Sequence, residues 1–339
     1  MQSLGTATTK TDSGGPVAFV LSGGANLGAA QAGMLEALLD AGIIPDLLVG
    51  TSIGAVNAAF MAAGPTPDRA RALSEVWRRL STEEIFPLRA AQVTRAILAG
   101  GLFSPAPLRR MLEREIPFRL IEEAVIPLRI VATRCEWRAD GPRSLRFLAA
   151  GLGRRAGQGR EQLRLAVAKL DRTVETAAIP LRIVATAFDH RSEEVFAAGP
   201  VLDALLASSA LPLVYPPYRL GDHVYVDGGL SEYVPLQPAL EAGAGTIYVL
   251  SLQAARDASP DDHRARSALY RSLGNRFWRR ESLTVAAAQA AHPTIRVVEL
   301  PPLSVRPGLR DFSRLGDLID EARRGAEEFL ASGIMGPAA

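Results

Sequence analysis

Short apolar runs alternate with longer stretches of helical apolar spacing through the first part of the chain. "VAFVLS" (17–22) is a continuous apolar run bounded by Gly and Pro, the pattern of a buried strand. After a glycine-rich turn, "LGAAQAGMLEALLDAG" (27–42) has the spacing of a helix and stops at Gly42. "DLLVG" (46–50) predicts a second strand and "IGAVNAAFMAAG" (53–64) a second helix. Strand, helix, strand, helix with short connections predicts a parallel α/β sheet. Further strands are predicted at 181–187, 193–197, 246–251 and 295–299. Further helices are predicted over 68–80, 90–116, 200–207, 235–242, 264–290 and 312–331, with Ser104 and Pro105 as cap and first position of one of them. The pattern as a whole describes a three-layer α/β/α fold, with a largely parallel central sheet and helices on both faces.

One octapeptide occurs twice. "IPLRIVAT" stands at 126–133 and again at 179–186, an offset of 53 residues (179 − 126). Two copies fall short of a solenoid, so a local duplication is the simpler reading. It makes about 126–178 a duplicated or inserted segment within one domain spanning 16–335. Only one copy is expected to serve as the core strand. The second is favoured, because it runs directly into the sequence that follows. Residues 134–176 are rich in Arg, and "EQLRLAVAKLDRTVETA" (161–177) has helical spacing. The arginines read as a solvated insertion, with an anion-facing patch as the rival.

Composition narrows the function classes. The 339 residues are 48% apolar, 22% charged and 6% aromatic, with a net charge of +2, so nothing marks a nucleic-acid binder. A single cysteine, Cys135, rules out an intramolecular disulfide and a multi-cysteine zinc site. Residues 1–15 are polar and Gly/Ser/Thr-rich, which predicts disorder and offers no apolar signal-peptide core. No uninterrupted apolar run reaches the roughly 18 residues of a membrane span. A cytoplasmic protein is expected, with contact to a membrane surface left open. The oligomeric state is not legible.

Four segments carry candidate chemistry. Gly50-Thr51-Ser52-Ile53-Gly54 is a GxSxG at a strand-to-helix turn, where flanking glycines allow a sharp bend that exposes a serine hydroxyl. The bland alternative is an ordinary βα turn with a capping serine. Ser22-Gly23-Gly24-Ala25-Asn26-Leu27-Gly28 lies between the first strand and its helix, and its amides suit an oxyanion. Nucleotide phosphate is the rival ligand there. Ala25 interrupts the required G-x-G-x-x-G, and Asp46 is at the wrong end of its strand to meet a ribose. "YVDGGLSEYVPL" (225–236) puts Asp227 at the end of a short strand, before Gly228 and Gly229. Asp-Gly-Gly is also a common turn. "LLASSALPLVYPPY" (205–218) reads as a helix ending in small residues and a Pro-broken apolar loop, a wall for a pocket.

Together these segments resemble the patatin-like phospholipases, a family of bacterial lipid acyl hydrolases. "SGGANLGA", "GTSIG", "ASSALP" (207–212) and "DGG" (227–229) stand in the family's order, and the resemblance covers roughly residues 17–253. It implies a patatin-like fold and hydrolysis of lipid acyl esters by a Ser-Asp dyad without metal or cofactor. Ser52 is then the nucleophile and Asp227 the base. Gly23, Gly24 and Ala25 supply the oxyanion loop, helped by the Ile53 amide. Gly28, Gly50, Gly54, Gly228 and Gly229 support the motifs. The family's loop usually has a third glycine and an arginine where this chain has Ala25 and Leu27. An alanine keeps the backbone donors provided its φ stays negative. An unperturbed aspartate, with pKa ~3.9, is a poor base for a hydroxyl, so desolvation is expected to raise Asp227.

Two other readings remain. One is a Ser-acid-His triad using His263 or His292, although Ser52 follows only the second strand and an α/β-hydrolase elbow usually follows several. His190 and His223 read as loop or surface residues. The other is a lipid-binding or interaction protein whose catalysis the insertion has disabled. "RSALYRSLGNRFWRRESL" (266–283) reads as a helix packed on the core with its arginines outward, or as one that rests on an anionic bilayer.

Overall fold

The computed structural model describes residues 15–87, 101, 103–137, 188–212, 214–252, 285–304 and 311–333. The buried apolar runs form β1 (Val17–Leu21) and β2 (Leu47–Thr51). After a single 3₁₀ turn, Ala25–Leu27, α1 occupies Gly28–Asp40. It is followed by α2 (Ile53–Ala62), α3 (Pro67–Arg79) and a short α4 (Thr82–Ile85). Then come α5 (Ala106–Glu115), β3 (Leu128–Trp137), β4 (Phe188–Phe196) and α6 (Val201–Ser208). The chain continues through β5 (Tyr218–Leu220), β6 (His223–Val226), α7 (Gln237–Glu241), β7 (Thr246–Leu250), β8 (Arg296–Glu299) and α8 (Leu315–Ala331). Residues 285–291 are also helical. At α5, Pro105 is the cap itself rather than the first helical residue.

The sheet order is β5-β6-β3-β2-β1-β7-β8, with β4 also on β3. β8, β7, β1, β2 and β3 are mutually parallel, while β4, β5 and β6 add antiparallel pairs. Alternation along the central strands explains why both faces are covered. Phe19, Leu21, Leu48, Leu128, Ile130 and Tyr248 face one core with α1, α2, α3 and α8. Ala18, Val20, Leu47, Val49, Val131 and Ile247 face the other, closed by Ala239 of α7 and by Val285 and Ala288. The result is the expected layering of helices on a mostly parallel sheet. α1 lies so close to α8 that a Cβ on Gly33 would strike the Ile319 carbonyl.

The duplicated segment corrects the sequence reading. The first copy, and not the favoured second, fills the core slot beside β2: Leu128, Ile130, Val131, Ala132 and Thr133 are buried, and residues 128–131 pair with β2. The residues after the first copy continue the strand to Trp137 and pair with β4 as far as Phe188. That long antiparallel ladder extends beyond the repeat, so the octapeptide's own pattern carried no information about it. The predicted strand 181–187, with the second copy, lies outside the described residues. So do residues 1–14, for which disorder is predicted, the start of the helix predicted over 90–116, the Arg-rich 138–176, the helical spacing at 161–177 and the stretch 266–283.

The registers make a deletion informative. Removing 126–178 joins Val125 to Ile179 and leaves one octapeptide. Thr133 pairs with Glu193 and Arg134 with Ser192; Thr186 and Ala187 are their counterparts at the offset of 53 (179 − 126). Carrying that register on leaves Asp189-His190 as a two-residue hairpin turn. The deleted chain is therefore expected to fold with a cooperative thermal transition by circular dichroism. A chain that lacks such a transition would show that the two copies are not interchangeable.

Candidate active site

β3 lends one edge to two strands. Residues 128–131 pair in parallel with β2, and 133–135 pair antiparallel with β6. β4 spans both stretches, so it takes the opposite edge and leaves β2 and β6 sharing the other. Their C-terminal ends meet head to head. The residue after β2 is Ser52 and the residue after β6 is Asp227; Ser52 Oγ donates to Asp227 Oδ2 at 2.5 Å.

The serine sits on a strained turn. Ser52 has φ 54° and ψ −123°, and among the described residues only Ser52 and Ala25 are non-glycines at positive φ. The flanking glycines answer to crowding: a Cβ on Gly54 would strike the Leu21 and Ser22 carbonyls, and one on Gly50 the Ala55 backbone. A Cβ on Gly28 would meet the side chains of Ile53 and Trp77. Ser208 anchors the turn, accepting from the Ser52 amide at 2.8 Å and donating to the Val131 carbonyl at 2.6 Å.

Asp227 is held on every side. Its Oδ1 accepts from the Gly229 amide at 2.8 Å, its carbonyl accepts from Thr133 Oγ1 at 2.9 Å, and its amide donates to Ala210. A Cβ on Gly228 would collide with the Val131 carbonyl, which lets this turn close on β3. The carboxyl is only 5% exposed. Burial raises it to about 6, against the hydrogen bonds from Ser52 and Gly229, which lower it. Further on, the Glu232 carbonyl accepts from Thr51 Oγ1. Burial, followed by the neighbouring Glu193 carboxyl, pushes the Glu232 side chain up to about 8.

The glycine-rich loop differs from expectation in two ways. The Gly23 amide already donates to the Tyr233 carbonyl at 3.1 Å. Ala25 adopts φ +53°, not a negative value. Gly24 packs where a Cβ would strike Leu252. A buried polar chain fixes the loop from behind. Gln31 Nε2 donates to the Ser22 and Leu250 carbonyls, Asn57 Nδ2 to the Gly28 carbonyl and Gln31 Oε1, and Trp77 Nε1 to Asn57 Oδ1. Ala25, Ser52 and Ile53 line one cavity of about 610 Å³, counting its open mouth, with a mostly apolar wall.

The two histidines whose side chains are described, His223 and His292, stand elsewhere. His292 precedes β8 at the N-terminal end of the parallel strands, whereas Ser52 follows the C-terminal end of β2. His223 heads β6, four residues and roughly 13 Å of strand from Asp227. His263 and the side chain of His190 lie outside the described residues. Among the described residues no group of three or more His, Cys, Asp or Glu is placed to hold a metal ion. No helix among them is long and apolar enough to cross a membrane.

Sequence reasoning gave no role to Ser208, Thr133, Gln31 or Asn57. The block "ASSALP" (207–212) contains Ser208 and is the signal that could have found it. The other three are polar residues in otherwise apolar elements, a signal that identifies a buried partner but not which one.

An α/β sheet with a strained serine turn and a facing carboxylate defines the class of this molecule. Its sequence matches the family described as patatin-like phospholipase over residues 19–240, and the chain belongs to that family. Patatin-like phospholipase domain-containing protein 6 of Mus musculus is 29% identical over 120 residues, covering 35% of this chain and 9% of that protein. The Homo sapiens protein of the same name gives 29% over 120 residues and 8% of its length. The chain thus spans less than a tenth of the length of these curated relatives. The crystal structure of VipD from Legionella pneumophila aligns over 94% of this chain and 69% of its own, at 14% identity and a TM-score of 0.37. At that score the shared geometry supports no detailed comparison.

Two stability measurements follow from this geometry. A left-handed φ at a non-glycine costs roughly 1–2 kcal/mol, part of which the greater unfolded-state freedom of glycine offsets. Ala25→Gly is therefore expected to stabilise the protein by about 1 kcal/mol in urea denaturation. Asp227 is less stable as an anion in the fold than in the unfolded chain. The penalty is absent below about pH 4, grows as pH rises through the folded value of about 6, and is complete above it. Asp227→Asn should therefore be the more stable protein at pH 8, by on the order of 2 kcal/mol, and lose that advantage near pH 4. Thermal melts across pH test the sign.

Proposed function

We propose that the protein is a serine hydrolase that cleaves acyl esters of lipids through a Ser52–Asp227 dyad. The observation that carries this reading is the 2.5 Å hydrogen bond from Ser52 Oγ to Asp227 Oδ2. It lies at a strained turn that opens into an apolar cavity. Ser52 Oγ attacks the ester carbonyl carbon while its proton passes to Asp227 Oδ2. The carbonyl oxygen becomes an oxyanion, facing the amides of Gly24, Ala25 and Ile53. Ile53 opens α2, so its amide lacks an intrahelical acceptor and lies at the positive end of the helix. Gly23 shapes the loop rather than donating, because its amide is held by Tyr233.

Collapse of the tetrahedral intermediate breaks the ester C–O bond, and the leaving alkoxide takes the proton from Asp227. Water then attacks the acyl-serine, giving one proton to Asp227; the C–O bond to Ser52 breaks, Asp227 passes that proton to Ser52 Oγ, and the carboxylic acid departs. Every group in the cycle belongs to the chain, so the chemistry calls for no metal or cofactor. The first repeat copy supports an intact rather than a disabled site: its Thr133 holds the Asp227 carbonyl and its Val131 anchors Ser208. The apolar wall suits a lipid acyl chain. Transient contact with a membrane surface is part of this proposal, because the substrate resides there.

Hydrolysis of p-nitrophenyl acyl esters tests the reading. Ser52→Ala and Asp227→Asn are each expected to lower kcat/KM by at least about 10³-fold. Replacement of each of the four histidines should leave it within about twofold. A base must be ionised to act, so kcat/KM should rise with pH up to about 6 and then level off. Wild-type protein no faster than Ser52→Ala on every ester would sink the assignment.

A further inference from the structure

A cluster of rings forms part of the wall of the cavity beside Ser52. Phe86 follows α4, where its amide donates to the Thr82 carbonyl, and it is 7% exposed. Its ring lies 5.0 Å from Phe103, 6.0 Å from Tyr215 and 6.1 Å from Phe312, centroid to centroid. Phe86, Tyr215 and Phe312 line the cavity that holds Ser52. Phe103 does not; it is 4% exposed, and its amide donates to the Val214 carbonyl. Phe86 is thus the partition between the cavity and the core behind it.

We propose that Phe86 sets the length of the acyl chain this protein accepts, its ring forming the wall against which the ω-end of one unbranched chain stops. This rests on the acyl-ester reading of Ser52. The cavity that holds Ser52 is lined mainly by apolar side chains, among them Ile53, Leu80, Leu108 and Met111. An apolar wall rewards each methylene it covers and gives nothing to a methylene left in water. Preference therefore rises with chain length until the chain meets a side chain that does not yield. Phe86 is that side chain because three other rings hold it in place. Packing of this density transmits a change in ring volume directly into the space available.

The test uses the full chain and linear p-nitrophenyl esters from acetyl to palmitoyl. Phe86→Leu shortens the partition and should move the optimum to longer chains. Phe86→Trp should move it to shorter ones. Each methylene gained or lost is worth roughly fourfold in kcat/KM. The readout is the ratio of long-chain to short-chain kcat/KM, which a general loss of folded protein does not change. A ratio unmoved in both variants overturns the proposal, as does a uniform fall across all esters.

A second readout does not need turnover. In the Ser52→Ala background, the thermal shift given by free fatty acids should peak at a longer chain when Phe86→Leu is added. If wild type cleaves no ester while that shift in preference persists, the hydrolase reading fails and the chain-length assignment stands. If fatty acids of every length leave both proteins unshifted, the assignment fails as well.

Discussion

A strand has two edges, and β3 divides one of them between β2 and β6. Everything catalytic in the proposed reading descends from that division. Each partner strand stops where the other stops, and the residues just past the two stops are Ser52 and Asp227. The hydrogen bond between Ser52 and Asp227 joins two backbone ends that the sheet already holds face to face. The residues that secure this meeting point belong to β3 or lie against it: Val131 through Ser208, Thr133 through the Asp227 carbonyl, and Gly228 through its missing side chain.

Unfavourable features collect at the same place. The two non-glycine residues at positive φ among those described are Ser52 and Ala25, and Asp227 is a carboxylate with almost no water. Each costs stability, and all three sit at or beside the cavity: Ala25 and Ser52 line it, and Asp227 is hydrogen-bonded to Ser52. The compensation lies in the rigid surroundings: α1, α2 and α3 share the chain from Gln31 through Asn57 to Trp77, which fixes the glycine-rich loop from behind. A site under this much strain persists only because its neighbours leave it no other geometry.

Most of the sheet was legible in the sequence, and so were the two turns that carry Ser52 and Asp227. "GTSIG" and "DGG" mark sharp turns at strand ends, and turns of that kind are encoded locally by small residues. The choice between the two octapeptides was not legible. Identical residues carry identical local preferences, and the decision lies in a long-range ladder between Arg134–Trp137 and β4. The conformation of Ala25 was hidden for a related reason. Alanine prefers negative φ, and here the tertiary fit of the loop overrides that preference. The Gly23 amide was misassigned because its acceptor, Tyr233, is far away in sequence.

The shared edge of β3 also makes the meeting of Ser52 and Asp227 a gauge of alignment. A slip of one residue by β2 or β6 along β3 moves its end by about 3.3 Å and inverts the faces of its side chains. A slip of two restores the faces but displaces the end by roughly twice as much. Either shift leaves a well-formed ladder and separates the hydroxyl from the carboxylate. Spectroscopic measures of strand content would barely register such an error, yet the hydrogen bond between Ser52 and Asp227 would be gone. On the proposed reading, activity is the sensitive report of whether the strands have paired in the right place.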